Sequence, residues 1–182
     1  MASFMNQQTD TRWSKSTRIL HWLSAVFILG LFALGLWMRS LGYYHAWYQE
    51  APQLHKSFGI LLILIYLVRL LSRLLTKAPA ALNTHKPWEV TATHITHNAL
   101  YIGIGLILIS GYLIASADNR PIGVFELFDI PVIFTAFEQQ EDWAGAFHEW
   151  GAYILMCLVA LHIMGALKHH FMDKDHTLKR ML

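Results

Sequence analysis

The chain has 182 residues, 55% of them hydrophobic and 14% charged, with a formal net charge of +2. A soluble domain carries roughly 25% charged residues to cover its surface, so this balance describes a membrane protein and excludes disordered, collagenous and disulfide-scaffold chains. The small net charge supplies no broad basic face, which excludes a nucleic-acid binder.

Four apolar stretches are long enough to cross a hydrocarbon core, which needs about 20 helical residues. They run over about 19–38, 55–75, 94–117 and 147–167. The first is too long for a signal-peptide core and no small-residue cleavage site follows it, so no cleaved leader is expected. The expectation is an all-α membrane protein, a single transmembrane domain over 1–182 built as a four-helix bundle.

Charge placement gives orientation. Arg12, Lys15 and Arg18 precede the first span; Arg69, Arg73, Lys77 and Lys86 end or follow the second; Lys168, Lys174, Lys179 and Arg180 follow the fourth. These are 11 of the 14 basic residues, and the positive-inside rule puts their side, and both termini, in the cytoplasm. Glu50, Asp118, Glu126, Asp129, Glu138, Glu141, Asp142 and Glu149 make the opposite face locally acidic.

Cys157 is the only cysteine, against 11 histidines. Thiolate zinc sites, Fe–S clusters and covalent haem attachment are therefore excluded, and any cofactor must be held by imidazole. An ionisable residue within a span is costly and marks a functional site by default. His21 lies near the cytoplasmic end of the first span and His55 opens the second at the outer face. His148 and His162 lie on the fourth span, 14 positions apart, which separates them by about 21 Å along the axis and about 40° around it. Depth pairs His21 with His162 and His55 with His148. Two bis-imidazole levels in one bundle suit two haem irons, each ligated from opposite sides. Gly59, Gly151 and Gly165 follow His55, His148 and His162 within a turn; they allow a flat group against the backbone, or plain helix–helix contact.

The other histidines leave alternatives open. His94 and His97 are candidates for axial ligation, propionate contact or a quinone pocket, or are interfacial polar residues. His169 and His170 favour a helix dipole and are candidates for propionate or quinone contact, or are solvated. Arg69 and Arg73 are expected to snorkel to lipid phosphate, with propionate pairing as the sharper alternative. His45, His85 and His176 receive no role. The loop over 118–146 is too apolar for a free loop, with Ile122, Val124, Phe125, Leu127, Phe128, Ile130, Val132, Ile133 and Phe134. It is expected to fold over the bundle mouth as an interfacial segment or lid.

R-I-L-H-W-L around His21, A-P-Q-L-H-K-S-F-G-I around His55, the H-x13-H spacing of the last span and the tail A-L-K-H-H-F-M-D-K-D-H-T-L-K-R-M-L resemble the bacterial cytochrome b561 family. F-A-L-G-L-W-M, W-Y-Q-E-A-P-Q-L-H-K-S and I-S-G-Y-L-I-A-S-A-D are particularly similar to its YceJ-type branch. The resemblance implies a four-helix inner-membrane protein with two non-covalent b haems, ligated by His21 and His162 and by His55 and His148, that exchanges electrons with the quinone pool. It also implies a periplasmic isoprenoid-binding protein of lipocalin-like shape as a partner. One type in the family oxidises superoxide; that activity is not carried over, because the acidic outer face repels an anion. The expected function is a di-haem electron carrier between quinone and a redox partner across the membrane. The alternatives are a haem-bearing anchor subunit of a larger oxidoreductase and, with less support, a histidine-lined metal transporter.

Overall fold

A computed structural model describes residues 12–182 except 77, 81, 83, 134, 136 and 137. Lys77 and Phe134, named above, lie outside the described residues. The described residues form four long helices, α1 (Lys15–Ser40), α2 (Glu50–Leu75), α3 (Pro87–Ser116) and α4 (Gln140–Phe171), each long and apolar enough to cross a membrane. A short antiparallel pair, β1 (Ile122–Val124) and β2 (Phe128–Ile130), lies between α3 and α4, and a single 3-10 turn (Leu178–Arg180) closes the tail.

Each helix begins before the apolar stretch that predicts it, and in α1 and α3 polar groups at the N-terminus set that start. Ser14 accepts a hydrogen bond from the Thr17 main-chain N–H at 3.2 Å and starts α1 four residues before the apolar run. Pro87 occupies the first turn of α3, where its missing N–H costs nothing, and the Glu89 carboxylate accepts the Lys86 N–H at 2.9 Å. That polar start extends α3 seven residues outside the predicted span. In α4, Glu141 and Asp142 in the first turn and Lys168, His169 and His170 in the last all complement the helix dipole.

α1 packs along α2 and α3 along α4, giving two antiparallel helix pairs joined by a shorter α2–α3 contact. Large apolar side chains such as Leu64, Leu67, Leu71, Leu74 and Leu75 face outward from α2, as helices solvated by hydrocarbon chains require. The start of α1 meets the tail at one end of the bundle: the Trp13 N–H donates to the Arg180 carbonyl oxygen, Trp22 Nε1 donates to that of Met181 at 2.8 Å, and Arg18 reaches Leu182.

The hairpin closes part of the opposite end. Ile122, Gly123 and Val124 pair with Ile130, Asp129 and Phe128, and β1 packs on α2 with Val124 fully buried. The expected fold-back of the outer loop is therefore present, built from two strands. Its turn places Phe125 and Glu126 at φ 49° and 58°, a left-handed conformation that is strained for side chains of this kind. The Phe125 N–H donates to Ser57 Oγ at 3.0 Å, and its ring meets Phe58 edge-on at 5.0 Å.

Candidate functional site

The four span histidines converge in two pairs between the helices. His55 of α2 and His148 of α4 have ring centroids 6.1 Å apart at the hairpin end. His21 of α1 and His162 of α4 are also 6.1 Å apart, at the end where the start of α1 meets the tail. Two metal–nitrogen bonds of about 2 Å, extended to the ring centres, place opposed imidazoles about 6 Å apart, so both spacings suit one iron between two rings.

The outer pair is the better prepared. His148 Nδ1 lies 3.0 Å from the Ile107 carbonyl oxygen and 3.0 Å from Ser110 Oγ, with Ser110 also donating to Ile107 at 2.9 Å. Donation from Nδ1 leaves the Nε2 lone pair of His148 for a metal and fixes the ring's direction. His55 keeps a buried Nδ1 with no hydrogen bond, an expensive state for an imidazole with no other duty. Helix backbone comes close beside both rings. A Cβ added at Gly35 would stand 3.5 Å from His55 Cε1, and one at Gly111 would stand 3.2 Å from His148 Cε1.

The glycines that follow the histidines in sequence have other surroundings. Gly151 instead receives Ile107: a Cβ there would stand 2.7 Å from Ile107 Cδ1, so this glycine serves the α3–α4 contact. Gly59 and Gly165 have no protein atom within 4 Å of an added Cβ.

The inner pair has a third ring and a cation. His97 of α3 lies 5.3 Å from His162, centroid to centroid, whereas His94 is exposed. Arg69 approaches His21 Nδ1 at 2.9 Å. Arginine can only donate, so in this arrangement the neutral His21 ring carries its proton on Nε2. For His21 to ligate through Nε2, Arg69 must release Nδ1.

Arg69 and Arg73 both find partners on α3, Arg69 half-buried and Arg73 exposed. Their guanidinium groups lie over the Tyr101 ring at 5.3 Å and 4.4 Å, and Arg73 donates to Asn98 Oδ1 at 3.0 Å. Stacking on an aromatic face holds both cations against α3 beside the inner histidines.

His169 and His170 sit apart from the two pairs. His169 is buried in a polar cluster with Asp173 and Asp175, and it includes His85, to which the sequence reading gave no role. Burial alone would raise the Asp175 pKa, but hydrogen bonds from Thr177 and His85 outweigh it and hold the carboxyl below its ordinary value. Lys168 bridges Glu89 at 2.5 Å and Asp173 at 2.6 Å. The cluster draws on the α2–α3 loop, the end of α4 and the tail. No local spacing announces it, since His85 and Asp175 are 90 positions apart.

Residues 12–182 match the family described as prokaryotic cytochrome b561. The chain is 47% identical over 180 residues to "Cytochrome b561 homolog 2" of Escherichia coli K12, covering 99% of this chain and 95% of that one. It is 25% identical over 174 residues to "Cytochrome b561 homolog 1" of the same organism, covering 94% and 97%. It is 26% identical over 167 residues to the "Probable superoxide oxidase CybB" of Yersinia pestis, covering 90% and 91%.

Proposed function

The chain belongs to the prokaryotic cytochrome b561 family of haem-binding, multi-pass inner-membrane proteins, and on that premise we propose that it is a di-haem cytochrome moving single electrons between the quinone pool and a redox partner on the opposite face. The observation that carries this reading is the pair of opposed histidines at each of two depths, both spaced 6.1 Å. His55 and His148 would hold the outer haem, and His21 and His162 the inner one. Bound b haem supplies a one-electron iron couple; the protein sets its potential through ligation, burial and nearby charge.

The remaining residues hold and tune. Ile107 and Ser110 orient His148, leaving its Nε2 available. Arg69 and Arg73 place two positive charges beside the inner pair, where they offset carboxylates and favour the reduced state. His97, within reach of the inner pair, is the candidate proton donor for a quinone bound near that end; His94, His169 and His170 are weaker candidates. The basic end, with both termini, is assigned to the cytoplasm by its Lys and Arg excess. The hairpin end then faces the periplasm, where an isoprenoid-binding partner would meet it. Superoxide oxidation is not proposed, because Asp118, Glu126, Asp129, Glu138, Glu141, Asp142 and Glu149 give the outer face a charge that repels an anion.

Pyridine haemochrome titration of the detergent-purified protein, with spectra before and after addition of a quinol, tests the reading. Two b haems per chain, reduced by the quinol, support it. A chain that holds one haem breaks one pair, and a fully loaded protein that no quinol reduces overturns the quinone assignment.

A further inference from the structure

We propose that His85, His169 and Asp175 form a binding site for a divalent transition metal, of which zinc is the best match, at the end of the bundle where the start of α1 meets the tail. It is separate from the paired span histidines. Three separate parts of the chain supply the donors. His85 Nε2 lies 3.1 Å from Asp175 Oδ2, and His169 Nδ1 lies 3.5 Å from the same oxygen. The ligand atoms of all three residues fall within 4.8 Å of one another. In a tetrahedral site with bonds of about 2.0–2.2 Å, neighbouring ligand atoms are separated by about 3.3–3.6 Å, and the two edges of 3.1 and 3.5 Å lie in or close to that range.

Hydrogen bonding accounts for Asp175, whose Oδ1 accepts the Thr177 main-chain N–H at 2.8 Å, and His85 Nε2 also lies 3.0 Å from Thr177 Oγ1; it does not account for His169. Asp175 Oδ2 is approached by His85 and, at 3.4 Å, by Thr84 Oγ1, with His169 Nδ1 on a third side. Yet His169 Nδ1 is buried without a hydrogen bond, although Asp173 Oδ2 stands 2.7 Å away. His169 and Asp175 are each only 9% exposed. A buried ring nitrogen and a carboxylate oxygen crowded around one point are what a cation would satisfy. Two imidazoles and one carboxylate select a borderline metal over Mg²⁺ or Ca²⁺, which require oxygen donors. Asp173 Oδ2, 2.7 Å from His169 Nδ1, is held by Lys168 at 2.6 Å and groups with Glu89 rather than with His85 and Asp175, so the fourth position is left to water. A surface pocket lined by Leu82, Thr84, Asp173, Lys174, Asp175 and His176 reaches Asp175 from solvent, its two carboxylates outnumbering the one lysine.

Such a metal would pin the tail. Asp175 is followed closely by Arg180, which donates to the Ala80 carbonyl oxygen at 2.8 Å, and by Met181 and Leu182, which receive Trp22 and Arg18 of α1. Bound metal therefore fastens the α2–α3 loop and the tail over the start of α1, one turn from His21.

The test uses the haem-loaded, tag-free protein in detergent, stripped with chelator, equilibrated with Zn²⁺ and passed through a gel-filtration column before metal analysis. About one zinc per chain is expected to stay bound, none being displaced by excess Mg²⁺. Asp175→Asn and His85→Gln are expected to weaken zinc binding by more than about tenfold, with the haem spectrum unchanged. Glutamine at 85 keeps a donor for Asp175, so H85Q separates metal loss from loss of the tail contact. In the wild type, zinc is expected to slow tryptic cleavage at Lys174 and Lys179, and in neither variant. Absence of retained zinc in the wild type overturns the proposal, as does equal zinc in the wild type and both variants.

Discussion

His148 Nδ1 lies 3.0 Å from the main-chain oxygen of Ile107 on the neighbouring helix. A backbone carbonyl can only accept, so the contact fixes which ring nitrogen keeps its proton and which is offered to a metal. His148→Phe should lower the haem content from two per chain to one. Ser110→Ala should keep both haems while weakening the outer one, because Ile107 still holds the ring and only the hydroxyl beside it is lost. A haemochrome assay after dilution into apomyoglobin, which captures released haem, separates the two variants. Equal haem retention in S110A and wild type would show that Ile107 suffices alone.

Arg69 and His21 define the inner site differently. The Arg69 guanidinium, 5.3 Å from the centre of the Tyr101 ring, keeps a positive charge beside the proposed inner haem after it releases His21 Nδ1, and such a charge favours the reduced, less positive iron. Arg69→Leu should lower the potential of one haem and leave the other in place, whereas Arg69→Lys should recover part of the shift. A potentiometric titration of the α-band checks this. An unchanged midpoint in R69L would mean that the charge is fully screened at that depth.

Much of this arrangement was legible in the sequence because the bilayer imposes simple rules. Long apolar runs had to be helices, and His21, His55, His148 and His162 stood out because ionisable residues are costly there. Contacts between distant parts of the chain were not legible. Gly35 lies beside His55 and Gly111 beside His148, yet neither glycine is near its histidine in sequence, while Gly151, three positions from His148, faces Ile107. The stacking of Arg69 and Arg73 depends on Tyr101 of another helix. The hairpin turn at Phe125 and Glu126 lacks the glycine or asparagine that announces a left-handed turn, because Ser57 and Phe58 hold it from outside.

That external hold makes Ser57 a position to test. It is 2% exposed and accepts the N–H of a residue already in a strained conformation. Ser57→Ala leaves that N–H without an acceptor and should cost about 1–3 kcal/mol locally, freeing the hairpin while α2 stays helical. Hydrogen exchange should show faster exchange across 122–130 with α2 unaffected. If exchange in the hairpin does not change, its hold comes from Val124 and the Phe58–Phe125 contact instead.

Gly165 gives the most direct test of whether a flat group lies against α4 at the inner level. A Cβ added there meets no protein atom within 4 Å. In a helix that faces only lipid, replacing this glycine by alanine should stabilise it by about 0.5–1 kcal/mol through lost backbone freedom. Packing of a haem one turn beyond His162 reverses the sign, because even a methyl group would push the ring plane off the helix. Gly165→Ala should therefore reduce inner-haem retention, and Gly165→Leu should abolish it, with the outer haem retained in both. Thermal unfolding followed at the Soret band, alongside haem counts, distinguishes the cases: higher stability with full haem content would place the inner haem elsewhere than against Gly165.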